Sequence, residues 1–64
     1  MGDVIFEIKH YGARIVKITA VHVDTGLEIY QNIAPNMVGT PSEMMARRNL
    51  LNRMRRQLQQ MGYR

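Results

Sequence analysis

The sequence predicts a small α+β domain in which a three-stranded antiparallel sheet is followed by one long C-terminal helix. Three runs of β-branched and aromatic residues are separated by two hairpin signals, and a single amphipathic segment follows them. The chain has 64 residues, which is room for one domain, so residues 1–64 are treated as one unit. A chain this short buries a modest core and is marginally stable unless something else supports it.

The first three elements form a predicted β-meander. Gly12 marks the first turn, and Asp24-Thr25-Gly26 is a three-residue hairpin signal that joins the second strand to the third. Pro35 then ends the third strand, because proline cannot donate to the hydrogen-bond ladder. The predicted strands span residues 4–10, 14–23 and 27–33.

A capping box marks the start of the predicted helix. Thr40 fits the N-cap, Pro41 the first helical position and Glu43 the third. Gly62 is the stop signal, so the helix is predicted over residues 41–61, a length of about 30 Å. The predicted core stripe comprises Met44, Leu50, Leu51, Met54, Leu58 and Met61.

One arginine lies inside this apolar stripe. We expect Arg47 to pair with Glu43, one turn earlier, while its aliphatic stem passes the edge of the sheet.

Strand parity leaves two arrangements open for the second strand. Pairing Val23 with Leu27 across the turn directs Val21 toward the core and Ile18 away from it. A bulge near residues 19–20 would return all apolar residues to one side. Without a bulge, the sheet face opposite the helix exposes apolar side chains and needs a partner, most simply a second copy. This predicted self-association face comprises Ile5, Val16, Ile18 and Tyr30.

Positive charge is concentrated in the C-terminal segment. The net charge is +4, and residues 1–39 contain three basic and four acidic side chains, whereas residues 40–64 contain six arginines and one glutamate. Arginine binds phosphate bidentately and stacks on bases, so nucleic-acid binding is the alternative function. A solvated polar face that keeps the protein soluble is the other interpretation. The candidate phosphate or partner contacts are Arg48, Arg53, Arg55 and Arg56.

The residue types give no catalytic, cofactor or metal site, and we expect no enzyme. The absence of cysteine removes thiolate nucleophiles and thiolate zinc ligands, and Ser42 has no predicted base beside it. His22 and Asp24 share a strand face but supply too few metal ligands, so His22 is expected to be a solvated or edge histidine. No signal peptide or membrane-spanning run is found, and a soluble cytoplasmic protein without membrane contact is expected.

Four short motifs follow one another along the chain. They are Asp3-Val4-Ile5-Phe6-Glu7, Val16-Lys17-Ile18-Thr19-Ala20, Asp24-Thr25-Gly26-Leu27-Glu28 and Ala46-Arg47-Arg48-Asn49-Leu50. Together they resemble a family of short uncharacterised bacterial proteins of unknown function. The resemblance implies a bacterial cytoplasmic protein and carries no site residues. Because of the second apolar sheet face and the small core, we expect a non-enzymatic interaction module that self-associates, with another protein or nucleic acid as the other partner classes.

Overall fold

The computed structural model describes residues 2–63 and confirms the predicted βββα order. The elements are β1 (Val4–Tyr11), β2 (Ile15–His22), β3 (Glu28–Ile33), a short 3-10 helix (Pro35–Met37) and the helix α1 (Pro41–Gln60). The three strands form one antiparallel sheet in the order β1-β2-β3. Both β1 and β3 are therefore edge strands.

The turn between β2 and β3 is one residue longer than predicted, and this changes the register. The expected pairing of Val23 with Leu27 would place Val21 opposite Ile29, and it is wrong, because Ala20 pairs with Ile29. The His22 amide donates to the Leu27 carbonyl at 2.8 Å, which leaves four residues, 23–26, in the turn. Side chains alternate along a strand, so a shift of one residue exchanges the two faces of the sheet.

This register leaves β2 regular and places its apolar residues Val16, Ile18 and Ala20 together on one face. Its pairing with β3 runs without interruption from Val16–Ile33 to Val21–Glu28, so the bulge considered from the sequence is absent from the ladder. Val16, Ile18 and Ala20 point toward α1, and each has 0% of its surface exposed. The expectation that Val16 and Ile18 lie on the uncovered face is therefore wrong.

The helix packs over β2 and β3 and contacts β1 far less. Its buried side chains are Ala46, Leu50, Met54 and Leu58. Met44 and Met61, which the sequence assigned to the core stripe, are 70% and 56% exposed. Met61 lies beyond the last helical turn as the C-cap, and Met44 lies on the flank that faces β1. The core is narrower than predicted because the helix covers two strands rather than three.

Both ends of α1 are stabilised by local hydrogen bonds. Thr40 is the N-cap, as predicted, but its hydroxyl donates to the Met37 carbonyl instead of accepting from the helix. The predicted capping box does not form, and Glu43 instead joins the helix to the loop, because its Oε1 accepts a hydrogen bond from the Gly39 amide at 3.1 Å. The first helical turn is thereby tied to the preceding loop.

At the C-terminus, Gly62 has a φ of 79°, a left-handed conformation that glycine adopts without strain. Its amide donates to the Gln59 carbonyl at 3.0 Å, and the Tyr63 amide donates to the Leu58 carbonyl at 2.9 Å. This is a Schellman motif, which ends the helix and directs the Tyr63 side chain back toward the sheet.

Candidate self-association surface

The inner face of β1 is only partly covered by the helix. Phe6 is half-buried and Ile8 is 39% exposed, although Ile8 pairs directly with the fully buried Ile18. The Arg47 guanidinium lies 5.0 Å from the centre of the Phe6 ring, which identifies the flank of α1 that faces β1. Leu51, one turn further along that flank, is half-buried. The side chains of Phe6, Ile8 and Leu51, together with the exposed Met44, form the β1 shelf.

The predicted pairing of Arg47 with Glu43 is confirmed at a distance of 3.1 Å. The ion pair sits at the margin of the β1 shelf, where Arg47 covers part of the Phe6 ring with its guanidinium. A guanidinium over an aromatic face is attracted to the ring electrons and leaves the edges of the ring accessible. Arg47 therefore borders the shelf without filling it.

The backbone of β1 presents a second unpartnered feature, its outer edge. The Val23 amide donates to the Asp3 carbonyl at 3.1 Å, so Asp3 directs its polar backbone groups toward β2. Backbone groups alternate in direction along an antiparallel strand, and the odd-numbered residues of β1 therefore point toward β2. The even-numbered residues Val4, Phe6, Ile8 and His10 direct their amides and carbonyls outward. No strand lies on that side of β1 within the part of the chain that the structure describes.

The other edge of the sheet is shorter and is partly capped. β3 has six residues against eight in β1. The Arg53 Nη1 donates to the Tyr30 carbonyl at 3.5 Å, a long hydrogen bond that covers the middle of this edge. Of the two edge strands, β1 is therefore the longer. Within residues 2–63, no side chain forms a hydrogen bond to its outer edge. Long, uncapped edges are the ones on which a further strand can pair.

The sheet face opposite the helix is a mixed surface rather than an apolar one. Of the four residues predicted there, Ile5 and Tyr30 are on this face, with 53% and 55% of their surfaces exposed. Lys17 lies on the same face of β2, opposite Lys9 and Asn32, and its Nζ lies 4.5 Å from the centre of the Tyr30 ring. Because Val16 and Ile18 are in the core, the predicted self-association face loses its apolar centre.

The four candidate arginines are all exposed, but α1 separates them into two groups. Arg53 faces β3 through its contact with the Tyr30 carbonyl. By helical spacing, Arg48, Arg55 and Arg56 project from the side of α1 opposite its buried stripe. Within residues 2–63, the one ion pair is that of Arg47 with Glu43, so these three side chains have no acidic partner. They form the arginine ridge.

The histidine expected at a solvated or edge position is instead buried. His22 is 0% exposed, its Nδ1 lies 2.8 Å from the Thr25 hydroxyl, and its Nε2 has no hydrogen-bond partner among the described residues. The Tyr63 ring packs edge-on against the imidazole at 4.8 Å, and its hydroxyl donates to Asp24 Oδ2 at 2.7 Å. That hydrogen bond, assisted by desolvation and the charge of Asp24, raises the pKa of Tyr63.

This cluster has a structural consequence that the sequence did not indicate. A Cβ on Gly2 would lie 2.8 Å from Asp24 Oδ2 and 3.4 Å from both His22 Nε2 and the Tyr63 hydroxyl. The N-terminal segment, the β2–β3 turn and the residue after α1 therefore meet at one point. The hydrogen bond between Tyr63 and Asp24, which are 39 positions apart, closes the domain at this end.

The described residues contain no group of three His, Asp or Glu side chains arranged to hold a metal ion. Within residues 2–63, no helix combines the length and the apolar character needed to cross a bilayer. No family model, curated protein or solved structure matches the chain. The resemblance to short bacterial proteins stays a prediction.

Proposed function

We propose that this protein is a non-enzymatic interaction module that self-associates through β1. The observation that carries the proposal is that two unpartnered features lie side by side on one strand. The first is the free backbone edge of the eight-residue strand β1, and the second is the partly exposed β1 shelf. The surface differs from the one expected from the sequence, which was the opposite face of the sheet. Self-association remains the expectation, but its location moves to β1.

Physical considerations favour a strand as the occupant of this edge. Backbone amides and carbonyls on a long, flat edge pair readily with a further strand, and small domains usually protect such edges. β1 contains no proline and its pairing with β2 has no bulge, so it is well suited to extend the ladder. Covering the shelf would also add apolar burial to a 64-residue chain whose own core is small.

Sedimentation velocity over a range of protein concentrations tests the proposal. The wild-type chain is expected to show a concentration-dependent shift from monomer to a larger species. Ile8→Lys places a charge on the β1 shelf and should shift the protein toward monomer. Met45→Lys is the matched control, because Met45 is 53% exposed on the other flank of α1 and should leave association unchanged. Circular dichroism verifies that both variants are folded. A wild-type protein that stays monomeric at high micromolar concentration would contradict the proposal.

Nucleic-acid binding is the second candidate, and the arginine ridge is the observation that favours it. Arg48, Arg55 and Arg56 are exposed, and no acid among residues 2–63 neutralises them. Asn52 and Gln59, also exposed, lie between them on the same side of α1 and supply hydrogen-bonding groups. Unpaired guanidinium groups along one helix suit a row of phosphates. Arg53 is set apart from this ridge by its contact with β3.

Fluorescence anisotropy with labelled single- and double-stranded DNA and RNA tests this second candidate. The double variant Arg55→Gln, Arg56→Gln should weaken binding and make the logarithmic salt dependence shallower by about two units. The double variant Arg14→Gln, Lys17→Gln removes the same charge away from the arginine ridge and outside β1, and it should have a smaller effect. Equal effects of the two double variants would assign any binding to net charge alone, and this candidate would be dropped.

The cellular setting follows as part of the same proposal. The absence of cysteine suits a reducing compartment, and the resemblance to short bacterial proteins points to a bacterial cytoplasm. Cell fractionation with an antibody to the chain tests this assignment. Recovery in a membrane or extracellular fraction would contradict it.

A further inference from the structure

We infer that the occupant of the β1 edge is the β1 strand of a second copy, paired antiparallel about a two-fold axis that passes through Ile8. The two sheets would then form one continuous sheet of six strands. This inference rests on the proposed function, because it specifies how the self-association occurs. Three features carry it: the direction of the β1 backbone groups, the order of charges along the strand and the exposed side chains on its inner face.

The backbone restricts which registers are possible. The outward amides and carbonyls of β1 belong to Val4, Phe6, Ile8 and His10, and only these residues can form hydrogen bonds to a new strand. In an antiparallel pair of identical strands, an even-numbered residue must therefore lie opposite an even-numbered residue. The two-fold axis then passes beside one residue of β1, and the two registers with the longest overlap, in which seven residues of each β1 pair, are centred on residues 7 and 8.

Charge distinguishes these two registers. An axis at Glu7 places Glu7 opposite Glu7 of the second copy, and the shorter register with its axis at Lys9 places Lys9 opposite Lys9. An axis at Ile8 places Glu7 opposite Lys9 of the second copy, and the symmetry generates this pair twice. These are non-hydrogen-bonded positions, where facing Cα atoms are about 4.5 Å apart and side chains approach most closely. Opposite charges stabilise such pairs and like charges destabilise them, which favours the Ile8 register.

The inner face is also complementary in this register. Ile8 meets Ile8 of the second copy at the axis, so the exposed parts of two shelf residues cover each other. Phe6 lies opposite His10 of the second copy, whose imidazole is exposed in the single chain. A two-fold axis perpendicular to the sheet keeps equivalent faces together, so both helices lie on one side. Met44 and Leu51 of each copy then face the shared shelf from both margins.

The differing edges of the sheet favour a closed dimer over a filament. After β1 pairs with β1 of the second copy, each end of the six-stranded sheet is a β3 edge. That edge is shorter, and the Arg53 guanidinium donates to its central carbonyl, Tyr30 O. Growth from β3 is thus opposed while pairing at β1 is not. An isologous interface of this kind uses each β1 once and therefore stops at two copies.

Disulfide trapping tests the register directly, because the chain has no cysteine of its own. The Glu7→Cys and Lys9→Cys chains are oxidised separately and as a mixture. Facing Cα atoms about 4.5 Å apart lie within the range that a disulfide bridges, about 4.4–6.8 Å. We expect the mixed disulfide to form much faster than either homodimeric one. Rapid disulfide formation by the Glu7→Cys chain alone, or by the Lys9→Cys chain alone, would overturn the Ile8 register.

Charge exchange provides an independent test with no cross-link. Glu7→Lys alone creates two facing pairs of like charge and should weaken the dimer about tenfold, as should Lys9→Glu. A mixture of the Glu7→Lys chain with the Lys9→Glu chain restores opposite charges at both pairs, and it should form a heterodimer as stable as the wild type. A mixture that associates no better than either variant alone would contradict the pairing.

The outcomes separate this inference from the proposed function. A dimer in sedimentation that gives none of the three disulfides would overturn β1 pairing while leaving self-association intact. A wild-type chain that is monomeric throughout would overturn both. A dimer with the mixed disulfide and the restored heterodimer supports both.

Discussion

The register of β2 can be tested by deleting the same methylene group from each of its two faces. Ile18 is 0% exposed and Ile15 is 43% exposed, and the two lie three residues apart on one strand. Valine and isoleucine have similar strand propensities, so the intrinsic preference for strand nearly cancels in both Ile→Val variants. The difference between the two variants therefore reports burial. The register in the structure predicts that Ile18→Val is the more destabilising.

The magnitude follows from the environment of each side chain. Burial of one methylene contributes about 0.8 kcal/mol, and the cavity that remains brings the usual loss for a buried Ile→Val change to about 0.5–1.5 kcal/mol. In a domain of this size, a loss of about 1 kcal/mol lowers the Tm by about 4–8 °C. Ile15→Val removes a group that is half in solvent, and its effect should stay within about 0.5 kcal/mol.

Thermal and urea unfolding followed by far-ultraviolet circular dichroism measures both variants, at one protein concentration because association also stabilises the fold. A loss for Ile15→Val equal to or larger than that for Ile18→Val would refute the register. It would mean that β2 pairs with β3 through the three-residue turn that the sequence suggested, with Ile15 on the core side.

Three further results are expected. Leu50 is 0% exposed, and Leu50→Ala should lower the free energy of unfolding by about 2–5 kcal/mol. Met44 is 70% exposed, and Met44→Ala should change that free energy by less than about 0.5 kcal/mol. Urea titration measures both variants, and similar losses would place Met44 in the core. Glu43→Ala removes both the acceptor of the Gly39 amide and the ion-pair partner of Arg47, and it should lower the free energy of unfolding by about 0.5–2 kcal/mol, which the same titration measures; no loss would show that these two contacts do not stabilise the start of the helix. The hydrogen bond to Asp24 raises the pKa of Tyr63 in the folded state, so its stabilising effect is complete below the ordinary tyrosine pKa of about 10 and is lost as the pH rises through the folded value. Thermal unfolding from neutral to alkaline pH should show this decline in the wild type and a smaller one in Tyr63→Phe, and identical slopes would remove Tyr63 as its source.

The order and type of the elements could be predicted because each is encoded by residues close in sequence. Alternating side chains indicate β1, and Pro41 with Gly62 mark the two ends of the helix. The register between β2 and β3 depends on whether the turn holds three or four residues, and Asp24-Thr25-Gly26 permits both. Because one residue exchanges the faces of a strand, this small ambiguity reversed the assignment of Val16 and Ile18.

The candidate surface was harder to predict, because it depends on where the helix lies across the sheet. The sequence identifies an apolar stripe on α1 but not which two of the three strands it covers. The partial exposure of Ile8 follows from that placement. The sequence feature that indicates this surface is the Glu7-Ile8-Lys9 triplet. Its acidic and basic residues flank an apolar residue on a strand at the edge of the sheet.

The burial of His22 was missed for a related reason. It was expected to be a solvated or edge histidine because it shares a strand face with too few other metal ligands, but the observed register directs it to the core side, next to Tyr63. Tyr63 reaches it only because the Schellman motif at Gly62 reverses the chain. Local sequence patterns do not indicate contacts between residues that are far apart in the chain, so the sequence alone did not connect His22 with Tyr63.

Amide hydrogen exchange along β1, measured by NMR at low and high protein concentration, tests the central claim most directly. In the single chain, the amides of Glu7 and Lys9 face β2 and should be protected, whereas those of Phe6, Ile8 and His10 face outward and should exchange freely. Self-association through β1 predicts that these three outward amides become protected as the concentration rises. Outward amides that still exchange freely at concentrations where the protein sediments as a dimer would contradict the account.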